Sequence, residues 1–378
     1  MNYKICDLCE VTSSRRIFAR EYTTCGVPFF RSQEVIESSL HGHAEPMIFI
    51  SEGRYNQIIQ SKLPVPKKGD ILLSAIGANR GYPWHVDIDR FYFKDGNVIW
   101  LRNFIKNCNP SYLCYYLGRE TVITSMQRAS EHSAQGALTI DLIKSLEIEL
   151  PDLIVQQHIV NTIGSIDDLI ENYQQEIDKI CELLDKSLLQ YLNKVEISVY
   201  KPRLIKSGID SFSNSKEYLD TSSVEGVNNI SAGEEITISK RPSRANMQPV
   251  KNSVWFAKMK GSCKKLIITD DDSDLTNHYI LSTGFQGLLA TKELPLSLLS
   301  AFVISKDFDV QRDLHSVGTT MAGINNETFM KMMVPQLSAQ EIGEFDKKYS
   351  SFVKLLSERR KEITKLKALK QQLLQKYF

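Results

Sequence analysis

Residues 151–192 read PDLIVQQHIVNTIGSIDDLIENYQQEIDKICELLDKSLLQYL, and residues 335–378 read PQLSAQEIGEFDKKYSSFVKLLSERRKEITKLKALKQQLLQKYF. Each stretch opens on a proline and then continues without another one, as a long helix requires. The pattern Glu-Ile-x-Lys followed by an aliphatic residue recurs at residues 176–180 and 362–366. The second stretch is therefore a diverged copy of the first, and the chain has an internal repeat.

Both stretches carry apolar residues in alternating steps of three and four. This 3.5-residue period is typical of a coiled-coil seam. The second seam is broken at Arg359 and Lys370, and we expect Arg359 to pair with Glu176 or another acid of the first helix. Asp152 and Ser338 are the expected helix caps. The seam positions are 159, 163, 166, 170, 173, 177, 180, 184 and 191 in the first copy and 342, 345, 349, 352, 356, 363, 366, 373 and 377 in the second.

Helices of this length span roughly 57 Å at 1.5 Å per residue, so each seam needs a long partner. The simplest closure of two equivalent halves pairs the two helices antiparallel about a pseudo-twofold axis. Pairing of the seams between two copies of the chain is the alternative. We predict an α+β fold in which two long antiparallel coiled-coil helices separate two β-rich α/β domains. The predicted segments are 1–153 and 196–337 for the domains and 154–195 and 338–378 for the helices.

Composition supports a multidomain globular chain. The 378 residues include 46 Lys and Arg against 45 Asp and Glu, with 42% hydrophobic residues. At roughly 100–200 residues per domain, this length predicts two or three domains. No apolar run reaches the ~18 residues that cross a bilayer, and the first residues lack a signal-peptide pattern. The seven scattered cysteines favour reduced thiols, so we expect a cytoplasmic protein.

Basic residues concentrate in two places. Between residues 236 and 269 there are eight Lys and Arg and no acid, and residues 54–69 hold four basic residues and no acid. Asn79, Arg80, Tyr82 and Trp84 follow the second of these stretches. Basic groups suit phosphates, while Arg, Asn and Lys also read base edges, so the mixture favours duplex DNA. The segments KKGDILLS (67–74) and VKNSVWFA (250–257) also align, which extends the repeat into the domains.

Motifs of known catalytic sites are missing from the sequence. It contains no GxxxxGK[ST], HExxH, GxSxG or GxGxxG placed between a strand and a helix. Asn109-Pro110-Ser111-Tyr112 is similar to the loop of amino-methyltransferases, but its second proline is replaced by Ser and no glycine-rich cofactor loop accompanies it. We interpret it as the start of an amphipathic helix. Cys6-x-x-Cys9 with His41 and His43 is too weak a pattern for zinc, and we predict neither catalytic residues nor a metal.

Several segments together resemble the specificity (S) subunit of type I restriction-modification systems over essentially the whole chain. They are GVPFFRSQEV (26–35), PKKGDILLSAIG (66–77), GALTIDLIKSLEIELPDL (136–153), KRPSRANM (240–247) and AGINNETFMKMMVPQLSAQE (322–341). The resemblance implies two target-recognition domains that each read one half of a bipartite, asymmetric double-stranded DNA target. It also implies conserved helices that set the spacing.

The same resemblance implies a non-catalytic subunit. Two methyltransferase (M) subunits and restriction (R) subunits would be its partners, and no membrane would be involved. It implies no cofactor in this chain, because S-adenosylmethionine, ATP and Mg would belong to the partner subunits. Two alternatives stay open from the residues: a coiled-coil interaction scaffold that binds acidic proteins, and a stand-alone methyltransferase.

We expect the DNA contacts to come from polar and aromatic residues of both domains. Within the run Lys240 to Asn246, Pro242 stiffens a loop that presents two guanidiniums, although Arg244 could instead brace that loop. The candidates are Ser14, Arg15, Arg31, Lys68, Asn79, Arg80, Tyr82 and Trp84 in the first domain, and Lys240, Arg241, Ser243, Arg244, Asn246, Lys258, Lys260 and Lys264 in the second.

Overall fold

The computed structural model describes residues 2–42, 44–131, 136–231, 233–318 and 322–378. The chain divides into two compact units. The first comprises residues 1–171 and 368–378, and the second comprises residues 172–367. Each unit therefore combines one domain with parts of both long helices. Both units mix helices and sheets, as the α+β prediction requires.

In its described residues, the first unit has ten strands and six short α-helices before the first long helix. The strands are β1 (Asn2–Lys4), β2 (Glu10–Thr12), β3 (Tyr22–Thr23), β4 (Val27–Phe30), β5 (Phe49–Ile50), β6 (Ile71–Ser74), β7 (Pro83–His85), β8 (Tyr92–Phe93), β9 (Val98–Arg102) and β10 (Glu147–Glu149). The helices are α1 (Ile5–Leu8), α2 (Ser32–His41), α3 (Glu52–Gln60), α4 (Pro110–Leu117), α5 (Glu120–Ser130) and α6 (Ile140–Ser145).

The first long helix, α7 (Leu153–Ser187), passes from the first unit into the second. The second unit then holds β11 (Lys194–Glu196), β12 (Arg203–Ile205), β13 (Lys216–Leu219), β14 (Val224–Glu225), β15 (Asn229–Ile230), β16 (Glu234–Ile236), β17 (Ala245–Met247), β18 (Ser253–Ala257), β19 (Lys265–Ile268), β20 (Tyr279–Ser282), β21 (Phe285–Leu289) and β22 (Met333–Pro335). Its helices are α8 (Ser273–His278), α9 (Leu296–Ile304), α10 (Lys306–Leu314), α11 (Asn326–Phe329) and the long α12 (Ala339–Tyr377).

The sheets of the two units repeat one topology. A four-stranded antiparallel sheet has the order β2-β9-β6-β7 in the first unit and β12-β21-β18-β19 in the second. A second sheet contains one parallel pair, β4 with β8 or β13 with β20, and an antiparallel neighbour, β5 or β16. The antiparallel ladders β1-β10 and β11-β22 are also equivalent. The internal repeat therefore extends through both domains.

The segments aligned from sequence occupy equivalent strands. Residues 71–74 form β6 and residues 253–257 form β18, and both strands lie inside their sheet and are fully buried. One strand departs from the repeat. In the first unit β3 is added beside β5, whereas in the second β17 is added beside β20. The loop before β17 is therefore specific to the second unit.

The long helices pair antiparallel within each unit. In the first unit His158 faces Tyr377, and Asp167 forms an ion pair with Lys370 at 2.6 Å. In the second unit Glu176 forms the expected ion pair with Arg359 at 2.5 Å, and Tyr191 approaches Phe345. In each unit, residues that lie later in α7 therefore meet earlier residues of α12.

The seam positions are mostly buried, as the coiled-coil period predicts. Ile163 and Leu184 of α7 and Leu356 of α12 are fully buried. Both predicted caps are confirmed: the Val155 N–H donates to Asp152 at 2.9 Å, and Ser338 shares a capping box with Glu341. Helix α7 ends at Ser187, before Tyr191. The predicted extent of this helix to residue 195 was therefore wrong, because β11 begins at Lys194.

Asn109 begins helix α4, as we interpreted the Asn-Pro-Ser-Tyr segment. Its side-chain oxygen accepts from the Ser111 N–H at 2.9 Å, and Pro110 takes the first helical position. Tyr112 and Leu113 are buried in the core of the first unit. The Asn109 oxygen is thus used by the helix cap.

A buried ionic cluster ties α12 to the β19–α8 turn of the second unit. The Asp272 carboxylate is fully buried and accepts from Arg360 at 2.5 Å, from Ser357 and from the Thr269 N–H. Burial alone would raise the pKa of Asp272, but Arg360 and these hydrogen bonds hold that pKa below its ordinary value. Arg360 also reaches Asp274 at 3.0 Å.

We predict that Arg360→Met lowers the free energy of unfolding by about 3–5 kcal/mol, because the substitution leaves Asp272 buried without its main cation. Urea unfolding monitored by circular dichroism measures the change. Lys365→Met is the matched control on the same helix, since Lys365 is largely exposed and pairs only with Glu362. Equal stability of the two variants would contradict the assignment of the cluster as a brace.

Candidate nucleic-acid interface

Three first-domain candidates lie on the hairpin that joins β6 to β7. The Ser74 N–H donates to Tyr82 O at 3.0 Å, and the Gly81 N–H returns the bond to Ser74 O at 2.8 Å. Gly81 has a φ of 97°, and a Cβ there would approach Met126, so glycine suits this position. Asn79 is exposed at the tip, whereas Tyr82 is partly buried against the core.

Arg80 binds the protein itself. Its guanidinium donates to Ser130 Oγ at 2.6 Å, to Gln127 O at 3.0 Å and to Gly77 O at 3.2 Å. These partners lie on helix α5 and on the hairpin loop. Arg80 therefore braces the hairpin against α5.

Three second-domain candidates lie on the hairpin that joins β18 to β19. The Ala257 N–H donates to Lys264 O at 3.0 Å, and the Lys260 N–H donates to Ala322 O at 2.9 Å. The Lys264 ammonium donates to Thr221 O at 2.5 Å. Lys260 is exposed, and Lys258 is half-buried. Lys265, the last basic residue of the stretch 236–269, is buried and forms an ion pair with Asp309.

The two hairpins have equivalent frameworks. The Ala75 N–H donates to Asn97 O at 2.9 Å, and Ala75 O accepts from the Leu138 N–H at 2.9 Å. In the second domain the Lys258 N–H donates to Gly284 O at 2.9 Å, and Lys258 O accepts from the Ile324 N–H at 3.0 Å. The repeat therefore brings the hairpin candidates of each domain, three in the first and three in the second, to the same place in the fold.

The loop before β17 presents a second group of candidates. Arg241 donates to Ala245 O at 2.6 Å, so Arg241 braces this loop. The sequence left a bracing role open for Arg244, and in the structure Arg241 has that role. Lys240, Ser243 and Arg244 are exposed, and Asn246 is half-buried.

A cavity of about 670 Å³ gathers two of these candidates in the second domain, Arg244 and Lys258. Thr221, Thr283, Gly284, Asn325 and Asn326 contribute to its wall. These residues were missed by the sequence reasoning. The Gly-Ile-Asn-Asn run at 323–326 was the available signal, because it carries two amides next to the segment aligned with the other repeat.

Other first-domain candidates are used inside the fold. Trp84 is 5% exposed and packs on Phe30 and Phe91 in the core, so its side chain is not available for the DNA contact that the sequence predicted. The Ser14 hydroxyl donates to Phe93 O at 2.8 Å, and Arg31 is held by Glu34. The side chains of Arg15 and Lys68 are exposed and, with Asn79, stay candidates for contact.

The cysteine and histidine pattern does not form a site in the part of the chain that the structure describes. His43 lies outside the described residues, and Cys6 and Cys9 are free thiols. Across the described ranges no three His, Cys, Asp or Glu side chains are grouped as metal ligands would be. Likewise, none of the described helices has the length and apolarity to cross a membrane.

Comparison with known proteins matches the repeated fold to one family. Residues 1–182 match the family model described as the type I restriction modification DNA specificity domain. The match covers just under half of the chain and agrees there with the resemblance stated from the sequence.

One curated relative is a putative type I restriction enzyme specificity subunit, S.HindORF215P, from Haemophilus influenzae. It is 27% identical over 186 residues, which cover 49% of this chain and 45% of the relative. The aligned part thus spans less than half the length of that relative.

Solved structures were also compared over the full length of the chain. The S subunit of a type I restriction-modification system from M. genitalium shares 14% identity, with a TM-score of 0.48 and 96% of its chain covered. The HsdS subunit from Thermoanaerobacter tengcongensis shares 13% identity, with a TM-score of 0.37 and 96% of its chain covered.

We predict that Arg80→Ala lowers the stability of the first unit by about 1–2 kcal/mol, because it removes the three hydrogen bonds that the guanidinium donates to α5 and to the hairpin loop. The urea midpoint measures this loss. Lys68→Ala is the control, since Lys68 is exposed and its removal should leave stability unchanged. If Arg80→Ala kept wild-type stability but bound DNA less well, Arg80 would be a contact and not a brace.

Proposed function

We propose that the chain is the sequence-specific DNA-binding subunit of a type I restriction-modification complex. Each domain would read one half of a bipartite, asymmetric target. The observation that carries the proposal is the equivalent position of the two hairpins, one with Asn79 and the other with Lys258 and Lys260. Two copies of one framework with different side chains suit two half-sites of different sequence.

The long helices would set the distance between the half-sites and dock two methyltransferase subunits. The antiparallel pairing within each unit supports this part of the proposal, because it gives α7 and α12 a defined register. Arg359 with Glu176 and Lys370 with Asp167 fix that register at two points. Conserved spacing would follow from the rigidity of the paired helices.

The chemistry would reside in the partners. We propose that the methyltransferase subunits supply S-adenosylmethionine and modify adenine, and that restriction subunits use ATP and Mg. This chain would be a non-catalytic, cytoplasmic subunit that carries no cofactor. Its candidate contacts are amides, hydroxyls, lysines and arginines, which bind phosphates and base edges.

The proposal predicts that exchanging residues 200–335 for those of a relative changes one half of the target only. The chain and its exchange variant are each co-expressed with the methyltransferase subunit of the same system, and modified adenines are mapped by sequencing. We expect a bipartite motif whose other half is retained. A change in both halves, or a contiguous motif, would contradict the assignment of one domain to each half.

The salt dependence of duplex-DNA binding distinguishes the proposed function from the alternative of a coiled-coil interaction scaffold. Each phosphate neutralised by a basic residue adds about −0.9 to the slope of log affinity against log salt for duplex DNA. A duplex-DNA affinity that shows no such slope would favour an acidic protein as the partner.

A further inference from the structure

Ala75 and Lys258 occupy the same position in the two repeats. Each residue directly follows the inner strand of its sheet, and each makes the same two backbone hydrogen bonds. The side chains differ sharply, because Ala75 is 1% exposed and small, whereas Lys258 is a half-buried cation. The two repeats therefore share the backbone framework but present different side chains on it, a methyl group in the first and an ammonium group in the second.

Lys258 faces the cavity together with Arg244. The Arg244 guanidinium lies over Gly284, where a Cβ atom would sit 2.9 Å from Arg244 Nη2 and 2.8 Å from Thr221 Cγ2. Glycine at this position thus leaves room for the guanidinium. Arg244 lies in the loop before β17, where the repeats diverge, whereas Lys258 lies on the shared framework and differs from its counterpart in the side chain.

The two cations have no acidic partner among the residues that the structure describes. Within these ranges Glu327 is the acid that lines the cavity, and it is largely exposed and pairs with Lys331 at 3.1 Å. Burial lowers the pKa of Lys258, and the nearby Arg244 lowers it further. Lys258 is thus a partly desolvated cation, and no carboxylate among the described residues compensates it.

We propose that Lys258 and Arg244 are specificity-determining residues of the second domain and donate to an acceptor-rich base edge, that of guanine. Guanine presents the N7 and O6 acceptors side by side in the major groove, where Lys or Arg reads them. This inference rests on the proposed function and deepens it. It names the base class that the second half-site contains.

A base edge fits these residues better than a phosphate for two reasons. Lys260 on the same hairpin is exposed, as suits a contact to a DNA phosphate, whereas Lys258 is half-buried beside the cavity. Both domains need backbone contacts, but only sequence readers need to differ between them. A position that carries Ala in one repeat and Lys in the other is therefore better explained as a residue that reads the DNA sequence.

The test is Lys258→Ala in the full chain, co-expressed with its methyltransferase subunit, with modified adenines mapped. Alanine is the residue at the equivalent position of the first domain, so we expect the hairpin to fold unchanged. The first half of the motif should be retained, while one guanine-bearing position of the second half should lose roughly tenfold in discrimination. Lys260→Ala is the matched control: the modified motif should keep both of its halves, and the loss of a phosphate contact should only lower the extent of modification at all sites alike.

Arg244→Gln is a second test, and it does not alter the hairpin. This variant should reduce base discrimination in the second half of the modified motif and leave the first half unchanged. A Lys258→Ala variant that modifies all sites more weakly with an unchanged motif would overturn the inference and make Lys258 a phosphate contact. An unchanged motif and rate would overturn it as well. If the wild-type chain yields no bipartite motif, the proposed function fails, and this outcome is distinct from the other two.

Discussion

Long helices with an apolar seam are stable in water only when another surface covers that seam, and this constraint governs both units. Helix α7 has 35 residues and α12 has 39, and in the first unit Ile159 and Ile163 of α7 are buried in the same apolar cluster as Leu374 of α12. The ion pairs at Arg359 and Lys370 occupy the two places where the second seam is not apolar. The carboxylates of Glu176 and Asp167 on α7 compensate these two charges, and the two ion pairs form in one register of the helices.

The domains are attached to these helices by contacts that differ between the repeats. In the first unit Tyr115 donates to Asp167 at 2.9 Å, so that α4 is held against α7. In the second unit the buried Asp272 accepts from Ser357 and Arg360, and Ser297 donates to Asp346 at 2.6 Å. Each domain is thereby held on the helix pair through buried or half-buried polar groups. The hairpins that carry the candidate contacts extend from sheets anchored in this way.

Sequence reasoning succeeded where a pattern is local and periodic. The seams, both caps and the pairing of Arg359 with Glu176 follow from spacing along one helix or from the cost of an unpaired charge. It could not assign the roles of Trp84 and Arg80, because the same residue types serve a core, a brace or a DNA surface. The distinction depends on Phe30, which packs on Trp84, and on Ser130, which accepts from Arg80, and long segments of chain separate each pair. The equivalence of Ala75 and Lys258 was within reach of the sequence, because each residue directly follows one of the segments aligned at 67–74 and 250–257, and the backbone hydrogen bonds bear it out.

The central claim is that two equivalent frameworks carry different sequence readers for two separate half-sites. Selection of duplexes from a random library by the chain bound to its methyltransferase subunit tests this claim most directly. The account predicts enriched duplexes with two short, different motifs separated by a gap of fixed length and unspecified sequence. Enrichment of a single contiguous motif, of two identical halves or of no motif would contradict it.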